Sequence, residues 1–395
     1  MATLAAATRS GQATLLRHAE AVQAVCFLPR VAQKASDTGA TGDGAQEGAA
    51  EPERVVTGDA AGTLRVWDTY TRRATLTQEA AHDGEFGVLY VTALDVSEPS
   101  SNAEDANTST GDTRQTLVLS QGRDGKVRAW TAQSLEPRWT AQTSSFGFCL
   151  LSASDVRFAC PKGEDGKLAL WNLSTGDLEE EISSEAILRD YMDRGALPRD
   201  VSQRDASLGL CMSLCFQDRV LFALFECGSL GIYELEKKAW AVEVCLHALS
   251  REVPIAMSIV SAGAGKPHKY LGAAVGADSE FAPFIVDLTK RKAKCVDRRA
   301  PLRESGPTSA SRQGASGIAV RADLDLVAVG CWDGSVRAYQ WSSLSSRGVL
   351  HQHKGAIRAV SFSCGDPAVL AAASEDGNVS LVTNYPHACS SFGVE

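Results

Sequence analysis

Short runs of alternating apolar and polar residues recur along the chain, and each is introduced by a turn signal. Residues 123–130 read RDGKVRAW, and near-copies end at Trp171 (EDGKLALW), Tyr339 (WDGSVRAY) and Val382 (EDGNVSLV). Asp-Gly favours a tight turn because glycine adopts a positive φ without steric cost. The period of two that follows is typical of a strand with one buried face. The pattern therefore predicts a turn and a strand, repeated through the sequence.

Six copies align on the residue five positions after the turn glycine, and the degenerate copy FIVDL adds a seventh. The residues of this column are Trp67, Trp130, Trp171, Tyr233, Val286, Tyr339 and Val382. Two further apolar runs precede each column residue, the first of them clearest in GAIRAVSFS at 355–363. A fourth strand fits after the column, at 74–76, 138–141 and 240–246. Seven units of four strands predict an all-β, seven-bladed propeller occupying residues 1–395, since such blades take roughly 40–45 residues.

The column residues are large because the wedge between neighbouring blades widens away from the propeller axis. The last unit has only a poor fourth strand of its own, and the segment ATLLRH at 13–18 precedes the first unit. We expect this N-terminal strand to close the ring, because closure removes the exposed edges that an open sheet presents.

At this level of detail the repeats resemble the Trp-Asp (WD) repeat family. Trp67-Asp68 is a literal WD pair, and His18, His82 and His353 precede the first strands of three units. The resemblance implies a buried network of histidine, turn aspartate, Ser or Thr, and tryptophan, which unit two matches best. The residues assigned to such networks are His82, Ser120, Asp124, Trp130, Trp67, Trp171, His353 and Asp376.

Within that family the chain is similar to the ASTRA-associated protein 1 / G-protein-β-subunit-like protein 1 group. The resemblance lies in WDTYTRR, LVLSQGRDGKVRAW and GCWDGSVRAYQW. It implies a non-catalytic scaffold subunit beside the machinery that stabilises phosphatidylinositol-kinase-like kinases, or in chromatin-linked complexes. The expected location is the nucleus or the cytoplasm. The expected partners are other proteins of a multisubunit complex, in which the propeller itself is monomeric.

Charge and composition narrow the classes of partner. The net charge is −9 and the pI is near 5.4, which argues against a general nucleic-acid or anionic-membrane binder because both need a basic face. The eleven cysteines form no CxxC pair, which favours reduced thiols inside the cell. The sequence has neither an apolar stretch of membrane-spanning length nor the pattern of a secretion signal.

Reactive motifs are absent from the sequence. There is no HExxH, GxSxG or phosphate loop, and AGAGKP at 262–267 lacks the first glycine and the Ser/Thr of a Walker sequence. Cys211 and Cys215 are predicted to share one face of a strand, but no second pair of ligands exists, so structural thiols are favoured over zinc. We expect no catalytic residue, no cofactor and no metal.

Four segments depart from the repeat. Residues 30–53 and 97–115 are rich in Ala, Gly, Ser, Thr and acid, which predicts disordered loops, with acidic docking arms or phosphorylation sites as the alternative. Residues 184–206 predict a partly helical insertion, either packed on its own blade or binding a partner. The basic run at 289–303 is predicted to be a solvated strand edge and linker, with a localisation signal or acidic-partner patch as the alternative.

The position before each turn aspartate should face the same rim in every blade. Trp332 stands there in unit six and is either a hot spot for a protein partner or folded onto its own blade. The insertion adds helix residues to this hypothesis. The candidate partner surface comprises Trp332, Arg123, Glu164, Glu375, Arg189, Tyr191 and Arg194.

Three other functions are alternatives for a propeller of this kind. A substrate receptor of a cullin-based ubiquitin ligase resembles a propeller with a Trp-Asp-x-Arg ending, but Tyr70 stands at the Arg position here. A G-protein-β-like signalling scaffold is the second, although the β subunits themselves carry an N-terminal coiled-coil helix that has no counterpart before the first strand. A propeller enzyme is disfavoured because no acids or metal ligands converge.

Overall fold

Seven antiparallel sheets make up the structure, which is a computed structural model. It describes residues 13–29, 53–83, 87–97, 114–163, 167–195, 207–247, 249, 252–263, 265–278, 280–296, 300–302, 314–321, 323, 325–365 and 368–383. The expectations for 30–53 and 97–115 fall almost entirely outside these residues, as does Glu164.

Each sheet is one blade of a β-propeller, and its strands run in order from the axis outwards. Blade one contains β2 (Val22–Phe27), β3 (Arg54–Asp59), β4 (Leu64–Asp68) and β5 (Arg73–Gln78), and blade two contains β6 (Val88–Ser97), β7 (Arg114–Gly122), β8 (Lys126–Thr131) and β9 (Pro137–Gln142). Blade three contains β10 (Ser152–Ala153), β11 (Arg157–Lys162), β12 (Lys167–Asn172) and β13 (Leu178–Ile182). Blade four contains β14 (Cys211–Gln217), β15 (Val220–Phe225), β16 (Leu230–Glu234) and β17 (Ala239–Trp240).

The last three blades follow the same plan. They contain β18 (Pro254–Ser261), β19 (Lys269–Gly276), β20 (Glu280–Asp287), β21 (Lys292–Cys295); β23 (Ala315–Arg321), β24 (Leu326–Cys331), β25 (Ser335–Gln340), β26 (Ser346–Gln352); and β27 (Ile357–Phe362), β28 (Leu370–Ser374), β29 (Asn378–Val382). A short strand, β22 (Ala300–Pro301), also pairs with β20.

The N-terminal strand β1 (Thr14–Arg17) supplies the outermost strand of blade seven, as predicted. It pairs antiparallel with β29, with Thr14 opposite Leu381 and Arg17 opposite Asn378. Leu16 is 1% exposed and packs in one apolar cluster with Val22 of blade one. The two ends of the described chain therefore share a sheet, and the ring is closed.

The core is divided among the seven interfaces between blades. Each apolar cluster draws its side chains mainly from two adjacent blades, and the seven clusters together run around the ring. Trp130 of blade two, for example, packs against Val56 and Val66 of blade one. The predicted role of the column residues as wedges between blades is confirmed.

Blade five keeps the column by moving its aromatic ring to the neighbouring strand. Val286 stands opposite Tyr270, and the other column residues pair in the same register, as Trp130 does with Val118. The Tyr270 side chain is fully buried and its hydroxyl donates to the Asp218 carboxylate at 3.1 Å. The alignment of FIVDL with the other units is therefore confirmed.

The prediction of a fourth strand of blade four over 240–246 is wrong, because the observed strand is shorter. β17 ends at Trp240, and Val242–Val244 form a 3₁₀ turn before Leu246 pairs with Leu230 of β16. The backbone carbonyl of Val242 accepts a hydrogen bond from Arg194 at 3.1 Å. Arg194, at the end of the helix that precedes blade four, therefore binds the backbone at the point where the chain leaves the sheet.

That helix, α1 (Glu185–Asp193), packs on blade four. The side chains of Ile187 and Tyr191 are buried, and the Tyr191 ring lies edge-on to His247 at 4.8 Å between ring centroids. The Asp190 carboxylate accepts from His247 at 3.0 Å and pairs with Arg194 at 2.9 Å. Of the two readings for 184–206, the described part of the segment matches the helix packed on its own propeller.

The two faces of the ring carry different connections. We call the face with the second-to-third-strand turns and the connections between blades the top face, and the opposite face the bottom face. The bottom face carries the first-to-second-strand loops, including those that span 30–53 and 97–115, and the turn that contains Tyr70.

Leu16→Ala should destabilise the protein far more than Leu15→Ala. Leu16 is buried in the closing cluster, whereas the neighbouring Leu15 is 39% exposed on the other side of the same strand. Loss of a buried leucine costs roughly 2–5 kcal/mol, and loss of an exposed one usually costs less than about 0.5 kcal/mol. Urea unfolding of both variants measures the difference, and equal midpoints would contradict closure by this strand.

Candidate protein-docking surface at the channel mouth

A β-bulge recurs in the innermost strand of six blades. In each, the second residue of the strand has no partner in the ladder, and pairing resumes at the third. These six residues are Gln23, Leu89, Met212, Ile255, Ser316 and Arg358. A bulge redirects the side chain of the extra residue, and bulges are over-represented next to functional sites.

All six bulge residues line one cavity of about 620 Å³ on the top face. The innermost strands surround the axis and begin at this face, so the cavity is the mouth of the central channel. Leu150, which precedes β10, adds a contribution from blade three, the one blade without such a bulge. Every blade thus supplies at least one side chain to the channel mouth.

Large apolar side chains are exposed around the mouth. Phe146 and Phe148 lie in the connection between blades two and three and are 55% and 63% exposed. Leu210 and Val253 precede the innermost strands of blades four and five and are also exposed. Of these four, Phe148 and Val253 line the cavity itself, and exposed apolar residues around a cleft are typical of interaction sites.

Arg123 projects from the second-to-third-strand turn of blade two into the mouth and has no ion pair with any residue that the structure describes. Its guanidinium lies over the Phe148 ring, 4.1 Å from the ring centroid. Its Nε atom is buried and has no hydrogen-bond partner among the described residues. Burial, and then the positive charge of Arg358, lower the pKa of Arg123 from its usual value. Arg358 itself pairs with Glu375.

Trp332 lies folded against its own blade, which is one of the two readings the sequence left open. Its indole N–H donates to the Ser316 hydroxyl at 2.7 Å. Its ring packs so closely on Gly314 that a Cβ there would come within 2.7 Å of it, and Gly314 has φ of 113°. The half-buried ring nevertheless lines the mouth.

The remaining predicted surface residues do not form one patch. Arg123, Trp332 and the Arg358–Glu375 pair belong to the mouth, while Arg189 and Arg194 are exposed on α1. Tyr191 is 3% exposed, so its assignment to a partner surface is wrong. Its ring is held against His247 instead.

Blade two contains the complete predicted network. The His82 ring bonds to the Asp124 carboxylate at 3.0 Å through Nδ1 and to the Ser120 hydroxyl at 2.8 Å through Nε2. The Trp130 indole donates to the same hydroxyl at 2.8 Å. Because His82 lies between blades and Asp124 lies in the turn, the network anchors that turn beside the mouth.

Blades one and seven contain networks of the same kind. Blade one has a complete set of its own, in which Trp67 donates to Thr57 at 2.8 Å and Thr57 bonds to His18 at 2.8 Å. In blade seven, His353 bonds to Asp376 at 3.1 Å and to the Ser380 hydroxyl at 2.9 Å.

Blade three has lost the acceptor for its indole. Pro161 stands ten residues before Trp171, where Thr57 and Ser120 stand before their tryptophans. The Trp171 indole N–H is buried without a hydrogen-bond partner among the described residues. The thiol of Cys160 lies beside it, but a thiol is only a weak acceptor.

The bulges also correct one prediction about the cysteines. Cys211 and Cys215 were expected on the same face of the strand, but Cys211 packs toward blade three and Cys215 toward blade five. The bulge at Met212 lies between them and reverses the alternation. In the part of the chain that the structure describes, no group of three or more His, Cys, Asp or Glu residues is placed to hold a metal ion. No helix there is long and apolar enough to cross a membrane.

The network should make stability depend on pH below about 4. Burial alone would raise the pKa of Asp124, but the hydrogen bond and charge of His82 and the Arg128 cation lower it from 3.8 to about 2. A carboxyl with a lowered folded-state pKa stabilises the fold above its unfolded value, and this contribution is lost as pH falls. Asp124→Asn should therefore be destabilised at pH 7, and its deficit relative to wild type should shrink between pH 4.5 and 3.

Urea midpoints at pH 7, 4.5 and 3 test this expectation. Asp177→Asn is the matched control because Asp177 is exposed in a bottom-face turn. Its midpoint should follow wild type at each pH. A constant deficit for Asp124→Asn across the three values would show that the carboxylate charge does not stabilise the fold.

Comparison with known proteins agrees with this architecture. The family model "WD domain, G-beta repeat" matches residues 344–382, which span the outermost strand of blade six and most of blade seven. The mouse protein named guanine nucleotide-binding protein subunit beta-like protein 1 is 22% identical over 335 residues, covering 82% of this chain and 86% of that protein. The repeat match and the seven closed blades together show a seven-bladed β-propeller that resembles WD-repeat propellers.

Proposed function

We propose that this chain is a non-catalytic scaffold that binds other proteins at the channel mouth on its top face. The observation that carries the proposal is the exposure of Phe146 and Phe148 beside Arg123, which forms no ion pair with a described residue. Aromatic residues and arginine dominate the energy of protein interfaces when they become buried. WD40 propellers also act generally as platforms for protein binding.

The finer assignment is to an ASTRA-like, chromatin-linked or kinase-stabilising assembly in the nucleus or cytoplasm. The resemblance of WDTYTRR and GCWDGSVRAYQW to that group supports it, as does the similarity to the mouse β-like protein 1. The partners are proteins, and the acidic net charge disfavours direct contact with nucleic acid or an anionic membrane. In this proposal the propeller enters the complex as a monomer.

A G-protein-β-like signalling scaffold is the second candidate. The name of the mouse relative favours it, and the 86% coverage of that protein means that the likeness extends over nearly its whole length. Both candidates predict binding without catalysis and differ in the identity of the partners.

Phe148→Ser should abolish most partner binding, whereas Tyr70→Ser should leave it unchanged. Tyr70 is a suitable control because it is 86% exposed and lies on the bottom face, so both changes remove one exposed aromatic ring. Affinity purification of each tagged variant from cells, with quantitative mass spectrometry, measures the co-purifying proteins. We expect at least a tenfold loss of specific partners for Phe148→Ser.

The result also separates the two candidate functions. Kinase-stabilising or chromatin-linked subunits among the lost proteins would support the first, and G-protein pathway components would support the second. Partner loss with Tyr70→Ser but not with Phe148→Ser would contradict docking on the top face. Equal urea midpoints for the two variants establish that folding is intact.

A further inference from the structure

The channel mouth is cationic although the protein as a whole is acidic. Among the residues that the structure describes, the charged side chains lining the cavity are Arg123 and Arg358, and the others are apolar or neutral. The chain carries a net charge of −9. A local positive site on a negative protein attracts negatively charged groups selectively to that site.

The two arginines are not equivalent. Arg358 is neutralised by its ion pair with Glu375. Arg123 has no ion pair or hydrogen bond with a described residue, and Phe148 covers one face of its guanidinium. A partly buried cation without a counter-ion costs free energy, which an arriving anion lowers. Among the described residues, the site therefore has one arginine that is not paired with an acid, and a single positive charge matches a carboxylate better than a doubly charged phosphate.

The rest of the mouth is shaped for apolar side chains. Met212 and Ile255 project from their bulges, and Val253 and Phe148 form the exposed rim next to them. The volume of about 620 Å³ lies within the roughly 300–1,000 Å³ of typical ligand sites. It therefore suits a few side chains of one inserted segment rather than a broad, flat interface.

We propose that the mouth binds a linear segment of a partner protein in which an Asp or Glu residue neighbours a large apolar residue. The carboxylate pairs with Arg123, and the apolar side chain packs among Phe148, Met212 and Ile255. This inference rests on the proposed docking function and specifies the chemistry that the docking surface recognises.

Selection from random dodecapeptides displayed on phage, with the purified full chain as bait, tests this chemistry directly. We expect enriched sequences to contain Asp or Glu beside Leu, Ile, Phe or Trp. A labelled synthetic copy of the enriched peptide is then titrated with each variant by fluorescence polarisation. Arg123→Gln should weaken binding at least tenfold, and Arg123→Lys should weaken it less because the charge remains.

The matched control is Arg73→Gln, since Arg73 is exposed on the outermost strand of blade one. It should bind the peptide like wild type. Replacing the peptide's acid by its amide should reproduce the loss seen with Arg123→Gln, and combining both changes should add little further loss. This lack of additivity distinguishes a direct pair from a general effect on folding.

Several results would overturn the inference. These are the absence of enrichment over resin without bait, enriched peptides without acids, unchanged affinity for Arg123→Gln, or a phosphoserine peptide that binds more than tenfold tighter than its Glu counterpart. If acid-free peptides bind and Phe148→Ser removes that binding, docking on the top face stands while recognition of a carboxylate fails. If binding responds to Tyr70→Ser but not to Phe148→Ser, both proposals fail.

Discussion

Apolar packing between neighbouring blades is the interaction on which the whole structure depends. Each of the seven clusters takes its side chains mainly from two blades, so no blade buries its faces alone. The cluster between blades seven and one joins Leu16, Trp67 and Leu381, which come from opposite ends of the chain. Closing the ring therefore packs apolar side chains between blades seven and one, in addition to forming the hydrogen bonds between β1 and β29. Because the packing between blades is what must be kept, the residue type in the column can change. In blade five the smaller Val286 stands in the column, and Tyr270 fills the space beside it.

This arrangement separates stability from recognition within single strands. In six of the seven innermost strands the middle packs between blades, and the bulge at the second residue turns one side chain toward the axis. The side chains at the mouth, such as Gln23, Ile255 and Arg358, are therefore released from the core and free to differ between blades. The packing between blades does not determine which residues stand at these mouth positions. The sequence freedom of the mouth is what allows a common scaffold to recognise a particular partner.

The features that recur in every unit could be predicted from the sequence, and the features that occur once could not. The column from Trp67 to Val382, the closing strand and the network of His82 follow from repetition, since each copy supports the others. The bulges leave a weaker signal. In AVQAVCF and GAIRAVSF, a polar residue, Gln23 or Arg358, stands before alanine where the alternation breaks, and this break alone does not identify a bulge. Phe148 was missed because the loop that carries it has no equivalent in other units. Tyr191 was misassigned because an amphipathic helix does not reveal which surface covers it.

The networks that hold the turns also control the charge of the mouth. Asp124 is the neighbour of Arg123 in sequence, and as its nearest acid along the chain it is the obvious counter-ion. Its carboxylate is instead committed to His82 at 3.0 Å and to Arg128 at 3.1 Å. Asp333, next to Trp332, is committed in the same way to Ser335, whose backbone N–H donates to it at 2.9 Å. Asp124 and Asp333, which neighbour mouth residues in the sequence, therefore bind groups of the blades and stabilise the turns. The anchoring of the blade-two turn by Asp124 is what leaves Arg123 without a partner from its own turn.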